Sequence, residues 1–171
     1  MAEPAELAAL RAKVLGQVDQ WLAISRDESP WTTAPGIVSA WPPLVHAEHM
    51  ALAGLGSVGQ LDKALEREGG PPIGFMGRLV LLLGWIPRGI GKAPPTTAPK
   101  QVERAEVTAL LESLRNRVSA LDLERIATAR GRAHHPAFGG FTARQWFRFL
   151  DIHHRHHLRI VRDLKNAGRP D

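Results

Sequence analysis

The carboxy-terminal stretch constrains the fold of this chain more than any other. From Thr142 to Asn166, apolar residues recur at three- and four-residue spacing, with Trp146, Phe149, Leu150, Ile160, Val161 and Leu164 on one stripe. That period belongs to a helix with one buried face. Two histidines, His153 and His157, fall on either side of the stripe's centre, roughly 40° apart around the axis at 100° per residue. Burying an imidazole is costly unless its nitrogens find partners. A chain carrying this helix must therefore face it with a surface that is apolar along its length and polar at its middle.

The helix is well bounded. Thr142-Ala143-Arg144-Gln145 fits a capping box, and Gly168 and Pro170 stand where the helix should stop. Three further long helices are predicted. Pro4 to Ile24 carries Leu7, Leu10, Val14, Val18, Trp21 and Leu22 at helical spacing, and a turn-rich connector with Pro30, Pro35 and Gly36 follows. A second helix starts at Pro42-Pro43 and runs to about Glu68, where Gly69-Gly70-Pro71-Pro72 ends it. Its glycines at 54, 56 and 59 weaken it unless they allow close approach of another helix or a kink. Val102 to Leu121 forms the third, with a short turn of helix over Leu123 to Arg130. Between helices two and three, Phe75 to Trp85 reads as a short buried helix inside a long excursion, Gly70 to Pro99, whose length points to a functional or oligomeric role. No segment of any length alternates as a strand would. The expectation is an all-α, single-domain protein over residues 1–171, with a four-helix bundle as the leading architecture.

Composition narrows the chemistry. There is no cysteine, so disulfides, thiolate metal sites and a cysteine nucleophile are excluded, and a transition-metal site would have to draw on the eight histidines. The net charge of +5 comes from 22 basic residues scattered among 17 acidic ones, which argues against a nucleic-acid-binding block. Met1 to Leu10 lacks the features of a signal peptide. The most apolar segment, Ile73 to Ile86, contains Arg78 and falls short of the ~20 residues a bilayer needs, so the expected compartment is the cytoplasm.

The histidines separate by position. His-x-x-x-His places His153 and His157 one above the other, so that two imidazoles can converge on one ion. On pattern alone a metal pair and a pair of hydrogen-bonded core side chains stay equally open. His154 and His156 fall on the flanks and are expected at the rim or in solvent. A third ligand is needed; His49 shares the apolar side of the second helix with Trp41, Val45 and Leu52, whereas His46 lies further round and reads as partly exposed. His134 and His135, before Pro136, read as structural loop residues. Asp151 and Glu48 read as surface acids, so no general base is assigned. Gly89-Ile90-Gly91-Lys92 is not a phosphate loop, because its glycine spacing is wrong and Ala93 follows the lysine.

Taken together, Trp41 with His49 eight positions on, His135-Pro136-x-Phe138-Gly139, Thr142-x-x-Gln145-Trp146 and His153-x-x-x-His157-Leu158 resemble the DinB/YfiT-like superfamily. More narrowly, the chain is similar to a DinB-related branch classed as a domain of unknown function. The resemblance spans nearly the whole chain. It implies a four-helix bundle in up-down-down-up order and a three-histidine divalent-metal site formed by His49, His153 and His157. It also implies relatives that are thiol-dependent transferases, maleylpyruvate isomerase-type enzymes and metal-dependent hydrolases, many of them dimers. The chain departs from the branch at Ile160, where a glutamine is common, and in its long Gly70–Pro99 insertion.

Three neutral imidazoles would leave a divalent ion its full charge and an open coordination position, the composition of a catalytic site more than a structural one. Such a site can ionise a water or a thiol, with zinc or nickel ahead of iron or manganese as the ion. The functional expectation is a metal-dependent enzyme, a thiol-dependent transferase or a hydrolase, acting on a small molecule, with a low-molecular-weight thiol as candidate partner. The alternative is a non-catalytic binding or stress-response module with a structural or vestigial metal, in which the Phe75–Trp85 region makes partner or homodimer contacts.

Overall fold

A computed structural model describes residues 3–28, 38–88, 94–101 and 103–167. The connector around Pro30 to Gly36, the Gly89–Lys92 segment and the Gly168 and Pro170 stop signals lie outside the described residues. Among these residues, six helices and one small antiparallel sheet form in the order α1 (Glu3–Arg26), α2 (Pro43–Leu65), α3 (Phe75–Leu83), α4 (Arg104–Ser119), α5 (Leu123–Thr128), β1 (Arg132–His135), β2 (Gly139–Thr142) and α6 (Ala143–Ala167). The protein is thus mostly helical. Among the described residues no helix is long and apolar enough to cross a membrane.

The four long helices form where the apolar period placed them. α2 lies against both α6 and α4, and α1 lies against α4 and α6. Their shared core holds Val14, Val18 and Trp21 of α1, Met50 and Leu61 of α2, Leu111, Leu114 and Val118 of α4, and Phe147, Leu150 and Ile152 of α6, all buried. Gly54 explains one of the three α2 glycines. A Cβ there would run into the Leu114 side chain and come within 3.4 Å of His154 Nε2, so the absent side chain lets α2 close on α4 and α6 together.

α6 starts as the capping box requires. Thr142 Oγ1 accepts from the Gln145 amide at 3.2 Å, and Gln145 Oε1 accepts from the Thr142 amide at 3.0 Å. Two donors of the first turn are thereby satisfied, a cap worth about 1 kcal/mol.

Two features differ from the sequence reading. Residues 132–142 fold into a hairpin, with Ala133 opposite Phe141 and His135 opposite Gly139. Its four-residue strands are too short to show an alternating pattern, and its turn residues hid it. The hairpin is held from outside: Gly140 donates to Pro72 O at 2.9 Å and Gly74 donates to Phe138 O at 2.8 Å. A Cβ on Gly140 would collide with the Pro71 carbonyl. The second difference is α3, which is not a buried helix. Gly77 and Val80 face inward, while Phe75, Leu82, Leu83 and Trp85 are exposed, Leu82 at 81%. An apolar run interrupted only by Arg78 does not reveal which of its faces is covered.

Candidate metal centre

α2 and α6 bring three imidazoles to one point. His49, His153 and His157 each offer a ring nitrogen, and these atoms lie within 4.8 Å of one another. The rings are 4.9 Å apart for His49 and His157, 4.9 Å for His153 and His157, and 5.4 Å for His49 and His153, centroid to centroid. The residues the helical geometry singled out are therefore the ones the fold collects. His49 and His157 are buried and His153 half-buried.

Each ring is oriented by its surroundings. His49 Nδ1 donates to Thr97 O at 2.7 Å, which leaves the Nε2 lone pair free. Trp41 packs against His49 at 5.3 Å and against His46 at 5.4 Å, which gives the Trp41–His49 spacing its structural sense. His157 Nδ1 meets His46 Nδ1 at 3.0 Å, and His46 Nε2 meets Ser39 Oγ at 3.0 Å. If His157 is to keep its Nε2 lone pair, its Nδ1–H must donate to His46, and His46 must then donate from Nε2 to Ser39. Ser39 Oγ also accepts from the Trp41 amide at 3.1 Å, so its own hydroxyl proton remains available. His153 is held by rings: Phe149 stacks on it at 5.3 Å and 28°.

Electrostatics keep these rings neutral. Burial lowers the pKa of His49, with the Thr97 carbonyl and Glu48 pulling the other way. His153 and His157 lie well below the usual histidine value, first through burial and then through their neighbouring imidazoles. Neutral nitrogen with a free lone pair is the form that binds a metal. Three such donors with carbonyl and imidazole partners behind two of them fit a divalent ion of the zinc or nickel type.

Several residues stand elsewhere than the sequence suggested. His154 is not at the rim: it is fully buried beside Gly54, and neither ring nitrogen has a hydrogen-bond partner among the described residues. Burial lowers its pKa to about 3. An apolar stripe on one helix carries no information about its neighbours, and here α1 and α2 enclose the flank on which His154 lies. Asp151 on the same flank is likewise not a surface acid. It is completely buried, accepting from Gln17 Nε2 at 2.7 Å and from Arg155 at 3.0 and 3.2 Å, with Lys13 at 3.6 Å. Glu48 is buried too and accepts from the Lys100 and Gln101 amides at 2.6 and 2.9 Å, tying the 94–101 loop to α2. His46 is buried rather than partly exposed, since its ring turns towards His157. His156 matches its expected rim position, half-buried next to His157.

A pocket of about 840 Å³ opens over the three rings. His135, read from sequence as structural, contributes to its lining as well as to the hairpin. It stacks on Phe138 at 4.4 Å, and its Nδ1 accepts from the Ala137 amide at 3.1 Å, which puts the ring proton on Nε2. Burial lowers its pKa to about 4. No protein-family model, curated protein or solved structure matches this chain.

Proposed function

We propose that this chain is a divalent-metal protein in which His49, His153 and His157 hold a zinc or nickel ion for chemistry on a small molecule, a thiol-dependent transfer or a hydrolysis. The single observation that carries this reading is the convergence of three neutral ring nitrogens, from two helices, beneath an open pocket. In the same reading α1, α2, α4 and α6 are the four helices of a DinB/YfiT-like bundle in up-down-down-up order. One ligand from the second long helix and two from the last are what that resemblance implies.

An ion in this setting would supply Lewis acidity to a coordinated oxygen or sulfur. The protein's own groups do the rest. The Thr97 carbonyl and the Ser39–His46 pair fix ring orientation, and Trp41, Phe138, Trp146 and Phe149 displace water from the pocket. Glu48 and Asp151 are committed to the hydrogen bonds and ion pairs described above, and neither lines the pocket. Proton transfer therefore falls to imidazoles: His46 through Ser39, and His135 through its Nε2.

The test is metal analysis of protein purified without a nickel column. About one equivalent of metal per chain is the expected result, with His49→Ala, His153→Ala and His157→Ala each losing it while keeping the helical circular-dichroism spectrum. Substoichiometric metal that His153→Ala leaves unchanged would sink the site. A screen of low-molecular-weight thiols and electrophiles then separates transferase from hydrolase. A binding module is the second reading, favoured by the exposed apolar face of α3, which is also the surface a second copy would cover in a homodimer. Full metal occupancy with no turnover on any thiol or ester would favour it.

A further inference from the structure

The pocket over the three histidines is chemically one-sided. Among its described lining residues there is no aspartate or glutamate; the ionisable side chains are seven histidines and Arg88. The nearest candidates for counter-charge are turned elsewhere. Glu48 is taken up by two backbone amides, and Asp163 pairs with Arg88 at 2.6 Å without lining the pocket. A cation entering here meets no carboxylate among the described lining residues and, with a divalent ion on the floor, a strong like charge. An anion finds the Nε2–H of His135, the Arg88 guanidinium beside its Asp163 partner and, in the proposed centre, the ion itself.

The shape of the guest is written in the walls. Phe138 stacks on His135 at 25°, Trp146 lies 5.3 Å from His135, and Phe149 stacks on His153. An unbroken run of rings therefore leads from the hairpin to a metal-ligand position. A wall of rings already stacked on one another favours a planar guest, which it can meet edge-to-face or by extending the stack. Phe149 and His153 are one helical turn apart, about 6 Å along α6, so a single ring bearing an acidic group spans from wall to imidazoles.

From this arrangement we infer that the pocket binds an aromatic carboxylate, its ring against Phe138, His135 and Phe149 and its acidic group over the imidazole floor towards Arg88. This rests on the proposed metal centre for the charge at the floor, while the ring wall and the missing acids stand without it. Benzoate, benzamide and benzylamine serve as probes of equal size and different charge. Their binding is read by calorimetry and by the fluorescence of Trp41 and Trp146, in zinc-loaded and in metal-free protein.

The expected order is benzoate, then benzamide, then benzylamine in both forms, with benzoate at least tenfold ahead of benzamide in the zinc form. Phe138→Leu should weaken benzoate several-fold, and Arg88→Gln should narrow its lead over benzamide, both with zinc uptake unchanged. Benzamide or benzylamine binding the zinc form as tightly as benzoate overturns the inference, and so does the absence of binding by all three. If the protein takes up no zinc, the metal reading falls alone, and the same order in the metal-free protein decides this one.

Discussion

Replacing His154 by leucine should stabilise the protein, and by an amount that grows as the pH falls. The wild-type ring is fully buried with both nitrogens lacking partners among the described residues, and an unsatisfied buried polar group costs about 1–3 kcal/mol. Leucine removes that cost, against an imperfect fit of up to about 1.5 kcal/mol. At pH 7.5 the net gain should be about 1 kcal/mol. The pH term is cleaner, because packing does not titrate. Burial holds His154 at a pKa of about 3 against 6.5 for the ordinary value, so the unfolded chain takes up a proton that the folded chain refuses. This contribution to stability is fully present above pH 6.5 and is lost progressively as the pH falls towards 3. From pH 6.5 to 5 the loss is about 2 kcal/mol at 1.36 kcal/mol per unit. His154 is one of the neighbours that hold the pKa of His153 down, but both rings stay neutral in the folded protein above pH 5, so the terms of the other histidines cancel in the difference. Urea unfolding of metal-free protein at pH 7.5 and pH 5, followed by tryptophan fluorescence and circular dichroism, measures it. His154→Leu should lead wild type by about 2 kcal/mol more at pH 5 than at pH 7.5, and should still take up zinc. A lead that does not change with pH would refute the reasoning, since it would mean that the folded state accepts the proton as readily as the unfolded chain does.

Other substitutions probe the site and its frame. His46→Ala should lower zinc affinity 10- to 100-fold with stoichiometry unchanged, in competition against a chromophoric chelator, because His157 loses the partner at 3.0 Å that orients it. An unaltered affinity would show that the pair does not orient the ligand. Thr142→Ala should cost about 1 kcal/mol in urea unfolding through loss of the cap on α6; a neutral result would mean that the hairpin alone sets the start of the helix. Gly140→Ala sets a Cβ against the Pro71 carbonyl. It should cost about 3 kcal/mol, which lowers Tm by roughly 6–12 °C in a protein of this size, and a Tm within 2 °C of wild type, on the order of the assay's scatter, would contradict the tight seating of the hairpin.

Period and end signals alone determined the four long helices, because a 3.6-residue repeat and a capping box are local properties of the chain. They also put His153 and His157 on one line, and the apolar side of α2 pointed to His49. The resemblance to DinB/YfiT-like proteins rests on these residues together with Trp41 and the run from His135 to Trp146, and it is a proposal. What the sequence could not contain was the choice of neighbours. His154 and Asp151 look polar and peripheral in a one-helix projection, yet α1 and α2 close over that flank, aided by the missing side chain at Gly54. His46 looks peripheral for the same reason, until the crossing of α2 and α6 sets it against His157. α3 shows the converse, an apolar run that reads as buried and lies open because nothing in the described chain packs over its outer face. The hairpin's strands are too short for a period to register, and they depend on the 71–74 segment some sixty residues away. Sequence supplied the candidate imidazoles; burial, ring orientation and a pocket above them with no acid among its described lining residues arise between elements, where only tertiary structure decides.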